Sequence, residues 1–307
     1  MNNLRVLIVG AAGQVGKELQ RSFQDFGDVV AVDRESVNLE SADETRELVL
    51  KARPDVILNA AAFTAVDRAE SEPVTALAIN AKAPQVLAEE AKRSGSLLVH
   101  YSTDYVFDGT KREPWIEIDR PHPLGVYGKT KLAGEEAIQN VGGDYLIFRT
   151  SWVYGPHGSN FLMTMLRLAQ QRTELKVVDD QVGAPTTSVE LANATRSIVG
   201  GVIEGRFGER QNWAGLYHMT CSGSVSWCGF AQAIFARART QLQVKVPSVH
   251  PISSGEYPVA AQRPLYSVLS NQKLRSMFNL RLPSWEAALD DVFEQLVVNA
   301  AKPACQV

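Results

Sequence analysis

Hydrophobic runs alternate with amphipathic segments along the first half of the chain. The first run, residues 5–9, is continuous, rich in β-branched side chains and bounded by Gly10. Such a run is typical of a strand buried on both faces of a parallel sheet, which requires covering helices. The pattern predicts strands at 5–9, 29–32, 56–58, 97–101 and 145–149, and helices at 16–26, 42–52, 74–94 and 127–140.

This βαβ succession predicts an α/β fold built on a doubly wound parallel sheet of the Rossmann type. From Ser151 onward the elements are shorter and four of the five tryptophans occur, and the pattern predicts helices at 161–171, 224–240 and 284–300 and a strand at 176–178. We expect a Rossmann domain over 1–155, to which some later segments return, and a smaller α/β substrate domain mainly from 156–307. A frayed end is expected at 302–307.

Composition and charge exclude several classes of partner. The net charge of −3, from 31 Lys+Arg against 34 Asp+Glu, gives no positive field that would hold a nucleic acid. No window approaches the roughly 18 apolar residues of a membrane span. The three cysteines are too few and too scattered for a disulfide framework, which favours a reducing, cytoplasmic location.

A glycine-rich loop between the first strand and the first helix is the first candidate for chemistry. Gly10, Gly13 and Gly16 stand at G-x-x-G-x-x-G spacing, with Ala12 where the common fingerprint has its second glycine. Glycines allow a tight turn and let backbone N–H groups approach a pyrophosphate at the positive end of the helix. The loop therefore predicts a dinucleotide site, and the alternative is a strand-to-helix turn that binds nothing.

The end of the second strand carries an acid followed by a base. Asp33 lies where a carboxylate accepts hydrogen bonds from an adenosine ribose 2′-hydroxyl, which favours NADH. Arg34 follows it and would attract the 2′-phosphate of NADPH. Both cofactors stay open, and a solvated Asp-Arg turn is the alternative interpretation of the pair.

A tyrosine and a lysine at i, i+4 spacing form the candidate catalytic pair. Tyr127 and Lys131 share one face of a predicted helix, and a cation beside a phenol lowers its pKa and makes it a better proton donor. Thr103 and Asp104 follow the fourth strand, whose carboxyl end lines the ligand crevice of a doubly wound sheet. A hydroxyl there would bind a substrate carbonyl beside Tyr127.

These motifs occur together with longer strings along most of the chain. The strings are NAAA at 59–62, AVDRAE at 65–70, YSTDYVF at 101–107, YGKTKLAGE at 127–135, RTSWVY at 149–154 and DQVGAPT at 180–186. With the glycine loop and the Tyr-x-x-x-Lys pair, they resemble the extended short-chain dehydrogenase/reductases. Within that superfamily the strings resemble the enzymes that reduce dTDP-4-keto-6-deoxyhexoses.

The resemblance implies hydride transfer from NADPH or NADH to C4 of a dTDP-sugar. It makes Tyr127 the proton donor, Lys131 the group that lowers its pKa and holds the nicotinamide ribose, and Thr103 a hydrogen-bond donor to the substrate oxygen. The residues that it places around the cofactor are Gly10, Gly13, Gln14, Val15, Gly16, Asp33, Arg34, Asn38, Leu39, Ala60, Ala62, Phe63, Thr64, Tyr101, Tyr127 and Lys131. It places Thr103, Asp104, Trp152 and Arg263 at the sugar nucleotide.

Several of these residues have a plainer interpretation. Trp152 is equally a core tryptophan after a buried strand, and Arg263 equally a surface arginine. By the resemblance Asn80 lies where the family has an asparagine that fixes active-site backbone, and it is equally an exposed helical residue. The acids of the string at 65–70 are interpreted as a solvated first helical turn. The resemblance also allows a homodimer with Mg²⁺ at its contact, for which Glu18 and Glu190 are the candidate acids; the histidines show no metal-ligand spacing.

Two other functions are compatible with the same motifs. One is a non-catalytic relative that resembles the regulatory beta subunit of methionine adenosyltransferase, against which Tyr127, Lys131 and Thr103 argue. The other is a nucleotide-sugar epimerase or dehydratase, which keeps its cofactor oxidised through the cycle. NAD(P)H consumption on addition of the keto sugar distinguishes the reductase from both.

Overall fold

The computed structural model describes residues 4–301, with side chains to residue 299. The strands are β1 Arg5–Val9, β2 Asp28–Val32, β3 Val56–Asn59, β4 Leu97–Thr103, β5 Tyr145–Thr150, β6 Val153–Tyr154, β7 Glu174–Val178, β8 Val182–Gly183, β9 Thr186–Thr187, β10 Gly215–His218, β11 Val225–Ser226 and β12 Ser248–Ile252. The predicted frayed end at 302–307, including Cys305, lies outside the described residues.

The helices surround these strands. They are α1 Gln14–Phe23, α2 Ala42–Ala52, α3 Val66–Ser71, α4 Pro73–Leu77, α5 Ala83–Ser94, α6 Val126–Val141, α7 Phe161–Ala169, α8 Ser188–Ile203, α9 Arg210–Trp213, α10 Trp227–Gln241, α11 Gln272–Phe278 and α12 Trp285–Ala301. A π-helical turn at Ala78–Lys82 joins α4 to α5. Within the described range, no helix is both long and apolar enough to cross a membrane.

A six-stranded sheet in the order β10-β5-β4-β3-β1-β2 forms the centre of the molecule. All its neighbouring strands pair in parallel. The chain leaves β1 toward β2 and returns on the other side with β3, so the order reverses between β1 and β3, which is where ligands bind in open α/β sheets. The predicted doubly wound α/β fold is confirmed.

Alternate strand residues feed hydrophobic cores on opposite faces of this sheet. Ile8 and Leu58 belong to one core cluster, and Leu7 and Ile57 belong to the other. Successive side chains of a strand point to opposite faces, so a strand covered on both sides is apolar throughout. That burial explains why the uninterrupted hydrophobic runs predicted these strands correctly.

The second half of the chain contains elements that the pattern did not predict. The strand β10 joins the main sheet beside β5, and α8 packs against α1. The helix α8 is rich in small residues and is buried around much of its circumference, so it lacks the alternation of apolar and polar faces on which the prediction depends. Short two-stranded sheets, β7–β12, β8–β11 and β6–β9, complete this half.

Candidate active site

The glycine loop makes a tight turn from β1 into α1. Gly10 has a φ of +88°, and a Cβ there would lie 2.6 Å from the backbone nitrogen of Ala61. A Cβ at Gly16 would lie 2.1 Å from the carbonyl oxygen of Gly10. The first turn of α1, after Gly13, has no side-chain cap, so it can offer N–H groups to an anion. The residues present fit the pyrophosphate of a dinucleotide.

The first two side chains of α1 contact the second half of the chain. Oε1 of Gln14 accepts a hydrogen bond of 2.8 Å from Nδ2 of Asn160, and Val15 packs against the hydrophobic core. The contact of Gln14 and Val15 with a cofactor stays a prediction.

The turn after β2 holds the predicted adenosine end of the site. Oδ1 of Asp33 accepts hydrogen bonds from the backbone nitrogen of Glu35 at 3.0 Å and the hydroxyl of Ser36 at 3.3 Å. Arg34 is exposed and forms no ion pair with any described residue. Asn38 is exposed and bonds within the same turn, whereas Leu39 packs on the core. The arrangement leaves a free guanidinium beside a partly engaged carboxylate.

The segment after β3 crosses the point where the strand order reverses. The backbone nitrogen of Ala60 donates to the last carbonyl of β1, and beyond it Ala62 is half-buried and Thr64 exposed. Phe63 is fixed by Asn80, whose Oδ1 accepts from its N–H at 2.8 Å and whose Nδ2 donates to its carbonyl at 3.2 Å. Asn80 is buried, so it fixes active-site backbone and is not an exposed helical residue.

Tyr127 and Thr103 meet at the carboxyl edge of the sheet. Tyr127 lies in the first turn of α6 and Thr103 ends β4, and the side chain of Thr103 acts on the pKa of the Tyr127 phenol. Burial raises the pKa of Tyr127 to about 12, which the Thr103 side chain partly opposes. The structure brings the two predicted hydroxyls together, and the phenol keeps its proton at neutral pH.

The ammonium of Lys131 contacts two groups other than the phenol of Tyr127, which lies one turn earlier in α6. Its Nζ donates to the carbonyl oxygen of Tyr101 at 2.6 Å and lies 3.1 Å from Nε2 of His100. Burial lowers the pKa of Lys131 itself to about 8. In this structure burial is the largest influence on the pKa of Tyr127 and the Lys131 ammonium contacts Tyr101 and His100, and the effect of Lys131 on the phenol stays a prediction.

Tyr101 takes part in the site through its main chain. Its hydroxyl lies 2.6 Å from Oγ1 of Thr195 in α8, and its ring belongs to the core. The predicted place beside a cofactor therefore applies to the carbonyl that binds Lys131 and not to the aromatic ring.

Asp104 lies beneath the site and not at its surface. It is 2% exposed, Oδ1 accepts from the Thr103 hydroxyl at 3.1 Å, and Oδ2 accepts from the Ser151 hydroxyl at 2.9 Å. Burial raises the pKa of Asp104 to about 6, against the effect of its hydrogen bonds. In this structure the carboxylate bonds Thr103 and Ser151, and the contact of Asp104 with the sugar nucleotide stays a prediction.

A cavity of about 820 Å³ lies between the second-half helices and the loop after β12. Aromatic and aliphatic side chains line much of it, together with two cations; the main ones are Phe161, Met165, Trp227, Tyr257, Lys176 and Arg263. Trp152 stacks on Trp227 with ring centroids 3.5 Å apart. The sequence analysis therefore singled out Trp152, which lies behind the cavity wall. It did not identify Trp227, which lines the cavity, because no motif includes that residue.

Arg263 links this cavity to Tyr105 and, through it, to Tyr127. It lines the cavity, and its charge acts on the phenol of Tyr105, whose ring lies 5.6 Å from that of Tyr127. Nη2 of Arg263 is 2.9 Å from Oδ2 of Asp67, whereas its Nε is buried without a partner among the described residues. A buried, unpaired guanidinium N–H is suited to bind an anionic ligand group.

Comparison with known proteins identifies the family. The chain matches the RmlD substrate binding domain family over residues 4–298. It is 46% identical to a dTDP-4-dehydrorhamnose reductase from Burkholderia thailandensis, over 93% of this chain and 97% of that protein. The chain belongs to the dTDP-4-dehydrorhamnose reductase family. The predicted resemblance to reductases of this kind is confirmed.

Further relatives of the reductase family span the whole chain. The dTDP-4-dehydrorhamnose reductase of Escherichia coli K12 is 41% identical over 97% of this chain and 100% of its own length. The crystal structure of the Bacillus anthracis reductase, determined in complex with NADP, has a TM-score of 0.86 at 37% identity and covers 95% of this chain and 99% of that one. The family assignment therefore holds for both halves of the molecule.

One of the two predicted Mg²⁺ acids of this reductase family member has a cation as the partner of its carboxylate. Glu18 is buried and pairs with Arg21 at 3.0 Å, and Glu190 follows the cap of α8, where its N–H donates to Thr187. The described residues hold no group of three or more His, Cys, Asp and Glu side chains arranged for a metal ion. The expectation of Mg²⁺ is not supported.

Proposed function

We propose that this protein reduces the C4 ketone of dTDP-4-dehydro-β-L-rhamnose to dTDP-L-rhamnose with NADPH or NADH, the last step of dTDP-rhamnose synthesis. The observation that carries the proposal is the placement of Tyr127, in the first turn of α6, beside Thr103 at the carboxyl end of β4, where the Thr103 side chain acts on the pKa of the phenol. That edge also holds the glycine loop, as hydride transfer to a bound ketone requires.

The glycine loop, the Asp33–Arg34 turn and Lys131 would hold the cofactor. Gly10 and Gly16 leave room for the pyrophosphate, and Lys131 would bind the nicotinamide ribose from beside Tyr127. The reduced nicotinamide supplies the hydride that C4 accepts. The tight turn at Gly10 and the uncapped start of α1 support this placement.

Tyr127 and Thr103 would act on the oxygen of the ketone. Both hydroxyls hydrogen-bond to the C4 oxygen, and Tyr127 transfers its proton there as negative charge develops. The raised pKa of Tyr127 suits this direction of reaction, because the phenol stays protonated until a stronger base, the nascent alkoxide, forms. In the structure the Thr103 hydroxyl donates to Oδ1 of Asp104, so it turns from that carboxylate when it donates to the C4 oxygen.

The cavity beside Arg263 would take the sugar nucleotide. The unpaired Nε of Arg263 supports binding of the diphosphate. The aromatic wall of Phe161 and Trp227, backed by Trp152, supports stacking of the thymine ring. Trp152 would then contribute by holding Trp227 in place.

Product analysis tests this proposal. The protein is incubated with dTDP-4-dehydro-β-L-rhamnose and either NADPH or NADH, and the product is identified by NMR. The proposal requires dTDP-L-rhamnose formed in step with oxidation of the reduced cofactor. A product formed without net cofactor oxidation would indicate an epimerase, and no turnover with binding to a methionine adenosyltransferase would indicate a regulatory subunit. The cytoplasmic location and the homodimer stay predictions.

A further inference from the structure

The short helix α3 lies between the two parts of the candidate site. We propose that Asp67 and Glu70 of α3 are positioning residues, Asp67 for the sugar-nucleotide loop that carries Arg263 and Glu70 for the start of the helix that carries Tyr127. The inference rests on the proposed function. It assigns a role to acids that the sequence alone presents as a solvated helical turn.

Asp67 holds the loop after β12 at two points. Its Oδ1 accepts a hydrogen bond of 3.1 Å from the backbone nitrogen of Ala261, and its Oδ2 accepts one of 2.9 Å from Nη2 of Arg263. Both partners belong to the cavity wall. One carboxylate thus fixes the main chain and the guanidinium of the same loop, and it leaves Nε of Arg263 unpaired.

Glu70 caps α6 from outside that helix. Its Oε1 accepts a hydrogen bond of 2.8 Å from the backbone nitrogen of Val126, the residue before Tyr127. The N-cap position of α6 is Gly125, which has no side chain to do this. A Cβ at Gly125 would lie 2.6 Å from Oε1 of Glu70, so the missing side chain makes room for the carboxylate. A negative charge there also suits the helix dipole.

A small hydrophobic cluster packs α3 against α6, the helix that carries Tyr127. Ala69 is fully buried in a cluster with Phe63 and Ala76, and Val126 and Tyr127 pack against it. Asp67 and Glu70 lie close to the buried Ala69 in sequence. Their side chains contact different parts of the site, the loop that carries Arg263 and the start of α6. A shift of α3 would therefore displace the substrate loop and the phenol together.

The two acids should affect different kinetic constants. Loss of Asp67 frees Arg263 and the loop, which weakens binding of the sugar nucleotide and raises its KM. Loss of Glu70 loosens the first turn of α6, which misplaces the phenol and lowers kcat. A purely structural role would change the thermal stability of both variants without separating the constants in this way.

Kinetics of single variants on the full chain test the inference. For Asp67→Ala we expect KM for the dTDP-keto sugar to rise about three- to tenfold, with kcat and KM for NADPH nearly unchanged. For Glu70→Ala we expect kcat to fall about 10- to 100-fold, with partial recovery in Glu70→Gln, which keeps an acceptor oxygen. Glu72→Gln is the matched control, since its carboxylate pairs only with Arg68 on the outer face of α3.

A double-mutant cycle tests Glu70 without removing its carboxylate. Gly125→Ala places a methyl group against Oε1 of Glu70 and should lower kcat like Glu70→Ala, because the φ of −115° at Gly125 accepts alanine. In the Glu70→Ala background the same substitution should cost little more. Additive losses, or equal changes of both constants in Asp67→Ala and Glu70→Ala, would overturn the inference.

Two further readouts separate the inference from the proposed function. If the wild-type protein does not reduce the keto sugar, the proposed function fails. The role of α3 is then tested by dTDP binding and by hydrogen exchange. Asp67→Ala should then still weaken dTDP binding in calorimetry, and Glu70→Ala should still speed hydrogen exchange at residues 126 and 127. Unchanged affinity and exchange would disprove the role of α3 whatever the reaction.

Discussion

The ammonium of Lys131 lies 3.1 Å from Nε2 of His100, at the floor of the candidate site. Nδ1 of His100 is in turn 3.0 Å from Nδ2 of Asn59, and all three side chains are buried. Burial and the charge of Lys131 hold the pKa of His100 well below 6.5, so the imidazole is neutral. Its two nitrogens lie between the Lys131 ammonium and the Asn59 amide, and the ammonium also donates to the carbonyl of Tyr101.

The charge of Lys131 should set the alkaline limit of activity. Burial lowers its pKa to about 8, although the carboxylate of Glu135 acts in the opposite direction. Since the ammonium is lost as pH rises through that value, we expect kcat to fall on the alkaline side with an apparent pKa near 8. Rates measured between about pH 6 and 10 check this. Lys129 is an exposed neighbour, and the Lys129→Met variant should show the same alkaline decrease in kcat. A kcat that stays constant up to about pH 10 would contradict the prediction.

Substitution of Asp104 should stabilise the fold above pH 6. Burial raises the pKa of Asp104 from 3.8 to about 6. Above that pH the buried charge lowers the free energy of unfolding, and this destabilisation disappears as pH falls and the carboxylate is protonated. We expect Asp104→Asn to add about 1–3 kcal/mol at alkaline pH, with the gain vanishing in acid. Thermal unfolding at several pH values measures it. Exposed Asp25→Asn serves as control, and a gain that persists in acid would count against this explanation.

The buried pair of Glu135 and Arg149 should dominate local stability. Nη2 of Arg149 lies 2.6 Å from Oε2 of Glu135, and their side chains are 4% and 1% exposed. Glu135→Ala leaves the guanidinium unpaired and should cost about 3–5 kcal/mol in the free energy of unfolding. Urea titration measures the loss, and Glu136→Ala on the exposed side of α6 should change it by less than about 0.5 kcal/mol. Equal effects of the two would refute the assignment.

Arg34 should distinguish the two reduced cofactors. Its exposed guanidinium suits a 2′-phosphate, which only NADPH carries. Arg34→Ala is expected to raise KM for NADPH about five- to tenfold and to leave KM for NADH nearly unchanged. Steady-state assays with both cofactors measure the ratio. Parallel changes in the two constants would show that Arg34 does not contact the adenosine phosphate.

The fold could be predicted from residues whose burial is uniform along an element. The inner strands β1 and β4 are buried on both faces, so their apolar residues were visible as hydrophobic runs. By contrast β10 is short and enters the sheet from the far half of the chain, and only tertiary packing reveals such a partner. The helix α8 was missed because it is buried around much of its circumference, whereas α3 was expected as a helical turn without its bounds.

The positions of the candidate-site residues could be predicted from the sequence, whereas the contacts of their side chains could not. Tyr127 and Thr103 both lie at the carboxyl edge of the sheet, as their spacing and strand position predicted. No local pattern reports the orientation of a side chain, so the contacts of Lys131 with His100 and of Asp104 with Ser151 gave no signal. Asp67 bonds across 196 residues to Arg263, a separation that no local pattern reports.

The proton donor is tested most directly by replacing Tyr127 with phenylalanine. The substitution removes one hydroxyl and keeps the ring that packs on Tyr105. With the dTDP-keto sugar and reduced cofactor both saturating, we expect the rate of ketone reduction to fall about 10²- to 10⁴-fold, with cofactor and dTDP affinity retained. A Tyr127→Phe protein that reduces the ketone at the wild-type rate would contradict the account.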